Sequence, residues 1–297
     1  MKGRTLLVAL LAAALLPALA AADDTLKTTI TSGPADPSAS STATFTFVSN
    51  DPEAQFACAL DSEAFRGCTS PLTRTGIPDG RHTLFVFSIV GRDRERTPAY
   101  LTWTVDTVPP APAAAVHAAV GYQRLALSWT PAADTDHVVI TRSTNVKQVT
   151  GTQVYSGAAH RYHERKFDNG GYHRYTIVSY DKAGNASAPA VVAVKPSALL
   201  LAPSDGALVR VKSPPLLRWR SIPGARYYNV QLWRGSHKLL SAWPLKTRFK
   251  VSRAWTYQQH HFRLKPGRYT WYIWPSMRRL PAVAYGPLAG QSTFRVG

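Results

Sequence analysis

Apolar residues in this chain recur at every second position, the repeat of a half-buried strand, and not at the wider spacing of an amphipathic helix. Phe45 and Phe47 alternate with Thr44 and Thr46, and Phe56, Cys58 and Leu60 repeat the pattern before a turn at Asp61-Ser62. Leu84, Val86 and Phe87 follow Asp79-Gly80, and Leu101, Trp103 and Val105 continue the series. Further runs are Leu125 to Trp129, His137 to Thr141, Tyr175 to Tyr180, Leu217 to Arg220, Tyr228 to Trp233 and Tyr269 to Trp274. Short alternating runs separated by turn residues predict an all-β protein of sandwich type.

Two Pro-rich breaks divide the pattern, Asp106-Thr107-Val108-Pro109-Pro110-Ala111-Pro112 and the stretch from Lys195-Pro196 to Pro203-Ser204-Asp205-Gly206. Segments of this size each suit one small sandwich with its own core. The expected plan is three tandem domains, 23–106, 107–196 and 197–297, strung like beads after a cleaved signal peptide at 1–22. Lys2 and Arg4 precede an apolar run from Leu6 to Leu16, and both Ala18-Leu19-Ala20 and Ala20-Ala21-Ala22 fit the small-x-small cleavage rule. That run is shorter than the about 20 residues that span a bilayer, so a secreted chain without a transmembrane segment is expected. The end at Phe294-Arg295-Val296-Gly297 reads as a strand and carries no LPxTG-type sorting signal. Any association with the cell wall is therefore expected to be non-covalent.

Cys58 and Cys68 are the only cysteines. In an exported chain such a pair reads as a disulfide, stapling a short loop at a gain of roughly 2 to 3 kcal/mol.

The first segment resembles bacterial immunoglobulin-like repeats through Phe56-Ala57-Cys58-Ala59-Leu60-Asp61, Cys68-Thr69-Ser70-Pro71, Asp79-Gly80-Arg81-His82-Thr83 and Trp103-Thr104-Val105-Asp106-Thr107. It departs from them at Gly91-Arg92-Asp93-Arg94, where a D-x-x-G-N turn is usual. The second resembles a fibronectin type III domain through Leu127-Ser128-Trp129, Tyr175-Thr176-Ile177 and Asp181-Lys182-Ala183-Gly184-Asn185. The third is similar to a divergent member of the same class, with Trp219 early and Tyr269 late. These resemblances imply immunoglobulin-like and fibronectin type III-like β-sandwiches and leave function open.

Charge is distributed very unevenly. Lys and Arg against Asp and Glu number 7 against 11 in residues 23–106, 9 against 5 in 107–196, and 17 against 1 in 197–297, the single acid being Asp205. With Lys2 and Arg4 these make up the 35 basic and 17 acidic residues and the net charge of +18. Six of the eight tryptophans also fall in the last segment. A solvated face normally mixes both signs, whereas Arg218, Arg220, Arg226, Arg234, Lys238, Lys246, Arg248, Lys250 and Arg253 have no acidic neighbour in sequence. Such a surface attracts polyanions.

Catalytic patterns are missing from the sequence: there is no GxSxG, no HExxH, no Gly-rich phosphate loop and no third cysteine to act as nucleophile. A glycosidase needs two carboxylates, and the last segment has one. His160 with His163 lacks a partnering acid cluster, and His260 and His261 point to opposite sides if extended, so no metal and no cofactor is expected, and the protein is read as non-enzymatic. If Tyr228, Val230 and Leu232 face inward, then Tyr227, Asn229, Gln231 and Trp233 face outward. On the later strand the fibronectin-like reading turns Tyr269, Trp271 and Ile273 inward and Tyr272 and Trp274 outward, on a neighbouring strand of the same sheet.

The expectation is therefore an adhesion protein of the cell surface whose last domain docks on an anionic cell-wall polymer or polysaccharide. The binding residues would be the basic Arg218, Arg220, Arg226, Arg234, Lys238, Arg248 and Lys250, with an aromatic platform of Trp233, Tyr272, Trp274 and Tyr227. The first two domains would serve as spacers or bind protein partners. A carbohydrate-binding module acting through the platform, and extracellular nucleic-acid binding, are the alternatives.

Overall fold

The computed structural model describes residues 26–145, 148, 150–279 and 284–297. The signal peptide expected at 1–22 lies outside the described residues. Two compact units are present, one ending at Asp106 and the other running from Thr107 to Gly297.

The first unit contains β1 (Thr28–Ser32), β2 (Ala43–Ser49), β3 (Gln55–Leu60), β4 (Arg66–Cys68), β5 (Leu72–Arg74), β6 (Gly80–Val90), β7 (Asp93–Arg94) and β8 (Ala99–Val105). They form a β1-β2-β5 sheet and a β4-β3-β6-β7 sheet to which β8 adds beside β6. The period-two residues meet between them: Phe45, Phe47, Cys58, Leu84, Val86, Trp103 and Val105 are buried in one cluster. Cys58 and Cys68 are disulfide-bonded with their Cα atoms 5.9 Å apart, tying the neighbouring strands β3 and β4. At the departure from the immunoglobulin-like pattern, Gly91 takes a positive φ of 57°, and the chain doubles back as β7. That reversal buries Glu95, which accepts from the backbone N–H of Thr28 (2.9 Å) and of Ser88 (3.0 Å) and so anchors β1.

In the second unit, residues 107–196 supply β9 (Ala114–Gly121), β10 (Arg124–Thr130), β11 (His137–Ser143), β12 (Thr152–Gly157), β13 (Arg161–Arg165), β14 (His173–Tyr180) and β15 (Ala190–Val194). The orders are β13-β10-β9 and β12-β11-β14-β15, a Greek-key sandwich. Trp129 and Tyr175 lie in its core. The Tyr175 hydroxyl donates to Glu164 at 2.7 Å, and Arg142 pairs with the other carboxylate oxygen.

Residues 197–297 supply β16 (Leu200–Ala202), β17 (Ala207–Val209), β18 (Leu216–Trp219), β19 (Tyr227–Arg234), β20 (His237–Ala242), β21 (Arg248–Lys250), β22 (Ala254–Tyr257), β23 (His260–Arg263), β24 (Gly267–Ser276) and β25 (Gly290–Val296). Their sheets are β16-β18-β21 and β17-β25-β24-β19-β20, with a separate β22-β23 hairpin. The core gathers Trp219, Tyr228, Val230, Leu232, Tyr269, Trp271, Ile273 and Phe294. Tyr269 makes a tyrosine corner: its hydroxyl donates to the Lys265 carbonyl (2.9 Å) and accepts from the Lys265 N–H (3.0 Å).

Residues 107–297 depart from beads on a string, because the two sandwiches dock closely. Tyr122, at the β9–β10 turn, packs against the core of the last domain, and its hydroxyl donates to the Pro287 carbonyl at 3.0 Å. Burial pushes the Tyr122 pKa up to about 12, so it remains a donor. On the other side, Gln291 N–H donates to the Pro196 carbonyl at 3.2 Å. A side chain on Gly290 would place its Cβ 2.8 Å from that carbonyl, so only glycine admits this approach. The docking surface was hidden in the sequence because it is built from a turn and a linker, neither of which has a periodic signature.

Two predictions follow from these contacts. In unit one, His82 directs Nδ1 at Asp61 Oδ2 and Nε2 at the Pro78 carbonyl, each at 2.8 Å. Burial alone would lower its pKa, but these two acceptors outweigh it and hold it above 6.5. Its stabilising contribution is then complete below about pH 6.5 and is lost as the pH rises through the raised folded value. An NMR titration of the His82 ring should read above 6.5, and Asp61→Asn should bring the value down. In unit two, Tyr122→Ala and Gly290→Ala should each cost about 1 to 3 kcal/mol by urea unfolding and should speed proteolysis of the 195–200 linker.

Candidate functional site

Opposite faces of the last sandwich carry the two sets of chemistry. Leu217, Trp219 and Val251 point inward and are buried, so alternation turns Arg218, Arg248 and Lys250 to the outside of the three-stranded sheet. There Arg218 lies directly across from Arg248, and Leu216 across from Lys250. Two arginines in register on adjacent strands repel each other. No relief comes from carboxylates: among the described residues the four side-chain ion pairs all lie between residues 61 and 164.

Asp205 serves elsewhere. It accepts from the backbone N–H and the hydroxyl of Thr293, both at 2.9 Å. Burial alone would raise its pKa, but the Thr293 and Ser292 donors and the charge of Lys195 hold it below the ordinary value.

The outside of the five-stranded sheet is aromatic. Register places Trp274 across from Asn229, Tyr272 across from Gln231 and Thr270 across from Trp233. The Tyr272 ring stacks on Trp274 with centroids 5.7 Å apart and meets Trp233 edge-on at 6.2 Å. Trp233 Nε1 donates to Gln231 Oε1 (3.1 Å), Gln231 Nε2 to Asn229 Oδ1 (2.8 Å), and Asn229 Nδ2 to Ser241 Oγ (2.9 Å). This amide relay fixes the indole and the side chains between the rings. Lys238 Nζ lies 5.7 Å from the Trp233 ring centroid, a cation–π distance.

Several expected positions differ. Tyr227 obeys the outward alternation yet is buried, 1% exposed, because the returning chain roofs it: Ser276 bridges Tyr285 and the Tyr285 ring meets Tyr227 edge-on at 6.1 Å. The basic residues do not form one surface with the platform. Arg218, Arg248 and Lys250 occupy the opposite sheet. Arg220 lines a cleft of about 340 Å³ with Ala118, Val120, Lys195 and Ala198. Arg234 donates to the Pro266 carbonyl at 2.8 Å and lies over Tyr269. Arg226 is exposed beside the start of β19. Of the basic candidates, Lys238 alone contacts a ring of the aromatic face among the described residues.

Sequence reading missed four residues here. Arg268 and Arg295 are cross-strand partners, both exposed, on the same outward register as Tyr272. Continuing the alternation of Tyr269, Trp271 and Ile273 backwards, and of Phe294 and Val296, would have found them. Trp243, just past β20, and Tyr285 extend the aromatic face, joined by a hydrogen bond from Trp243 Nε1 to the Tyr285 hydroxyl. They carried no periodic signal. Trp255, by contrast, donates to the Leu239 carbonyl at 2.7 Å and packs on the core beside the β20 edge.

Among the described residues no group of three His, Cys, Asp or Glu is placed to hold a metal. His260 and His261 are exposed on β23, and His261 Nδ1 lies 2.9 Å from the Thr256 hydroxyl. A cleft of about 930 Å³ in the first unit mixes Asp51, Asp93 and Glu95 with Lys27, Arg94 and Arg96. Two of these have structural roles: Glu95 anchors β1 and Arg94 lies 4.0 Å over Phe87.

No protein-family model matches the chain, and no curated protein matches it. Solved structures with some likeness include the fibronectin(III)-like modules of Clostridium thermocellum CbhA, at 18% identity over 57% of this chain and 93% of that one, with a TM-score of 0.41. Another is the titin segment A168–A170, at 14% identity over 51% and 57%, TM-score 0.36. A third is a two-domain fibronectin type III segment of chicken tenascin, at 15% identity over 57% and 97%, TM-score 0.28.

The like-charged pair yields a prediction for folding. Arg218→Glu places a carboxylate across from Arg248 and should stabilise the fold by about 0.2 to 1 kcal/mol at low salt, seen as a raised Tm. High salt should erase the gain.

Proposed function

We propose that the protein is a non-catalytic, exported adhesion protein whose last domain docks on an anionic polymer of the cell envelope through the outside of its three-stranded sheet. The observation that carries this reading is the register of Arg218 opposite Arg248, with Lys250 beside them and, among the described residues, no ion pair to a carboxylate. A fold tolerates such repulsion at a cost to its own stability, and a polyanion laid across the sheet offsets it while releasing counterions. The first two domains act as spacers or protein-binding modules. Among the described residues no helix is long and apolar enough to cross a membrane, and attachment through a wall polymer needs none.

The test uses the full mature chain and a poly(glycerol phosphate) wall polymer. Binding should weaken steadily as salt rises, since exposed ion pairs are screened over a Debye length of about 8 Å at physiological ionic strength. The triple charge reversal of Arg218, Arg248 and Lys250 to Glu should lower affinity at least tenfold with the fold intact by circular dichroism. Salt-independent binding, or full affinity in the triple variant, overturns the reading.

A further inference from the structure

The aromatic face lies on the other sheet, so a ligand on the basic ladder leaves it open. We propose that this second face is a separate site for an acidic polysaccharide, holding pyranose rings on Trp274, Tyr272 and Trp233 and a uronic carboxylate on Arg268 and Arg295.

The geometry points to sugar chemistry through what borders the rings. Side chains on one face of a strand repeat about every 7 Å, and along β24 the outward series is Trp274, Tyr272, Thr270 and Arg268. On β19 it is Gln231 and Trp233, and on β25 it is Gln291, Thr293 and Arg295, placed by the registers Tyr272 to Gln291, Thr270 to Thr293 and Arg268 to Arg295. Every ring is thus bordered by an amide or a hydroxyl. A pyranose has the matching makeup, with an apolar C–H face to stack on an aromatic ring and hydroxyls around its rim to meet amides.

The site is also held in advance of binding. The relay from Trp233 through Gln231 and Asn229 to Ser241 fixes ring and amide rotamers, so little side-chain freedom is lost when a ligand arrives. Loop 168–171 of the second domain forms a wall at one side, where Gln291 Nε2 reaches the Gly170 carbonyl.

The charge on this face is local. Arg268 and Arg295 sit together at one end of the strip, with Lys238 against Trp233 and Asp205 held at the Thr293 hydroxyl, and the planar guanidinium forks suit a carboxylate. A single-stranded nucleic acid carries a phosphate at every nucleotide and calls for cations tracking the whole groove. Here the end bearing Trp274 and Tyr272 has amides in place of cations, which favours the polysaccharide.

The experiment is done in the full chain carrying the triple ladder reversal, so that binding at the opposite sheet does not contribute. Oligogalacturonate, its methyl ester, a neutral cello-oligosaccharide and oligothymidylate are titrated by calorimetry, with tryptophan fluorescence recorded in parallel. Oligogalacturonate should bind and shift the tryptophan emission. Methyl esterification, or Arg268→Ala with Arg295→Ala, should weaken it at least fivefold, and Tyr272→Ala with Trp274→Ala at least tenfold. The conservative Trp274→Phe should retain most binding, separating a stacking role from a folding role. No oligogalacturonate binding, unchanged affinity in the aromatic variant, or tighter binding of oligothymidylate overturns the proposal. None of these outcomes bears on the wall-polymer reading, which is tested with the ladder intact.

Discussion

The structure of the last domain depends on a simple steric fact: successive side chains of a strand leave opposite faces of the sheet. In a two-sheet sandwich both inner faces are committed to one core. Whatever the chain places at the alternate positions is then sent to one of two outer faces that point away from each other. Residues 216–220 and 248–250 interleave Leu217, Trp219 and Phe249 with cations, so those cations emerge on the three-stranded sheet. Residues 229–233 and 269–274 interleave core residues with amides and rings, so these emerge on the five-stranded sheet. Composition alone places basic and aromatic residues in one segment, and alternation then separates most of the basic candidates from the platform.

An outer surface with so little charge compensation has to be supported from within. The core meets that demand with large rings: Trp219 meets Tyr228 edge-on at 5.2 Å and lies 6.5 Å from Trp271, while Tyr269 stacks on Phe294 at 5.4 Å. Hydrogen bonds lock the rings that have hydroxyls, Tyr269 to Lys265 and Tyr228 to the Ile222 N–H. Docking of the second domain adds a further constraint at the 284–291 segment. Leu288 there lies so near Gly170 that a Cβ at that position would stand 2.7 Å from it. The same segment carries Tyr285, which roofs Tyr227. The contact between domains thus also shapes one end of the aromatic face.

Much of this was legible in the residues themselves. Period-two runs around Phe45, Leu125 and Val230 identified strands because a half-buried strand leaves that pattern regardless of its neighbours. The inward assignment of Trp219 and Trp271, and the outward pairing of Tyr272 and Trp274 near Trp233, followed from the same rule and agree with the structure. Tyr227 was misread as exposed because parity gives a side chain's direction, whereas exposure depends on what crosses above it, in this case Tyr285 from 58 residues further along. Arg218 and Arg248 each lack an acidic neighbour in sequence, but their apposition is a cross-strand register that no local pattern encodes. Docking through Tyr122 and Gly290 was illegible for the same reason, being a contact between a turn, a linker and a strand edge.

The separation of the two faces has a consequence for affinity. The two proposed sites lie on opposite sides of one sandwich and cannot grip a single short ligand together, so neither gains the effective concentration that a shared ligand would supply. On the two proposals taken together they would hold two chains at once, and weak contacts on each side would add up, because release from both chains requires both to open together. If both proposals hold, a domain arranged in this way would crosslink two polymers, and its basic composition and its aromatic composition would answer two separate demands.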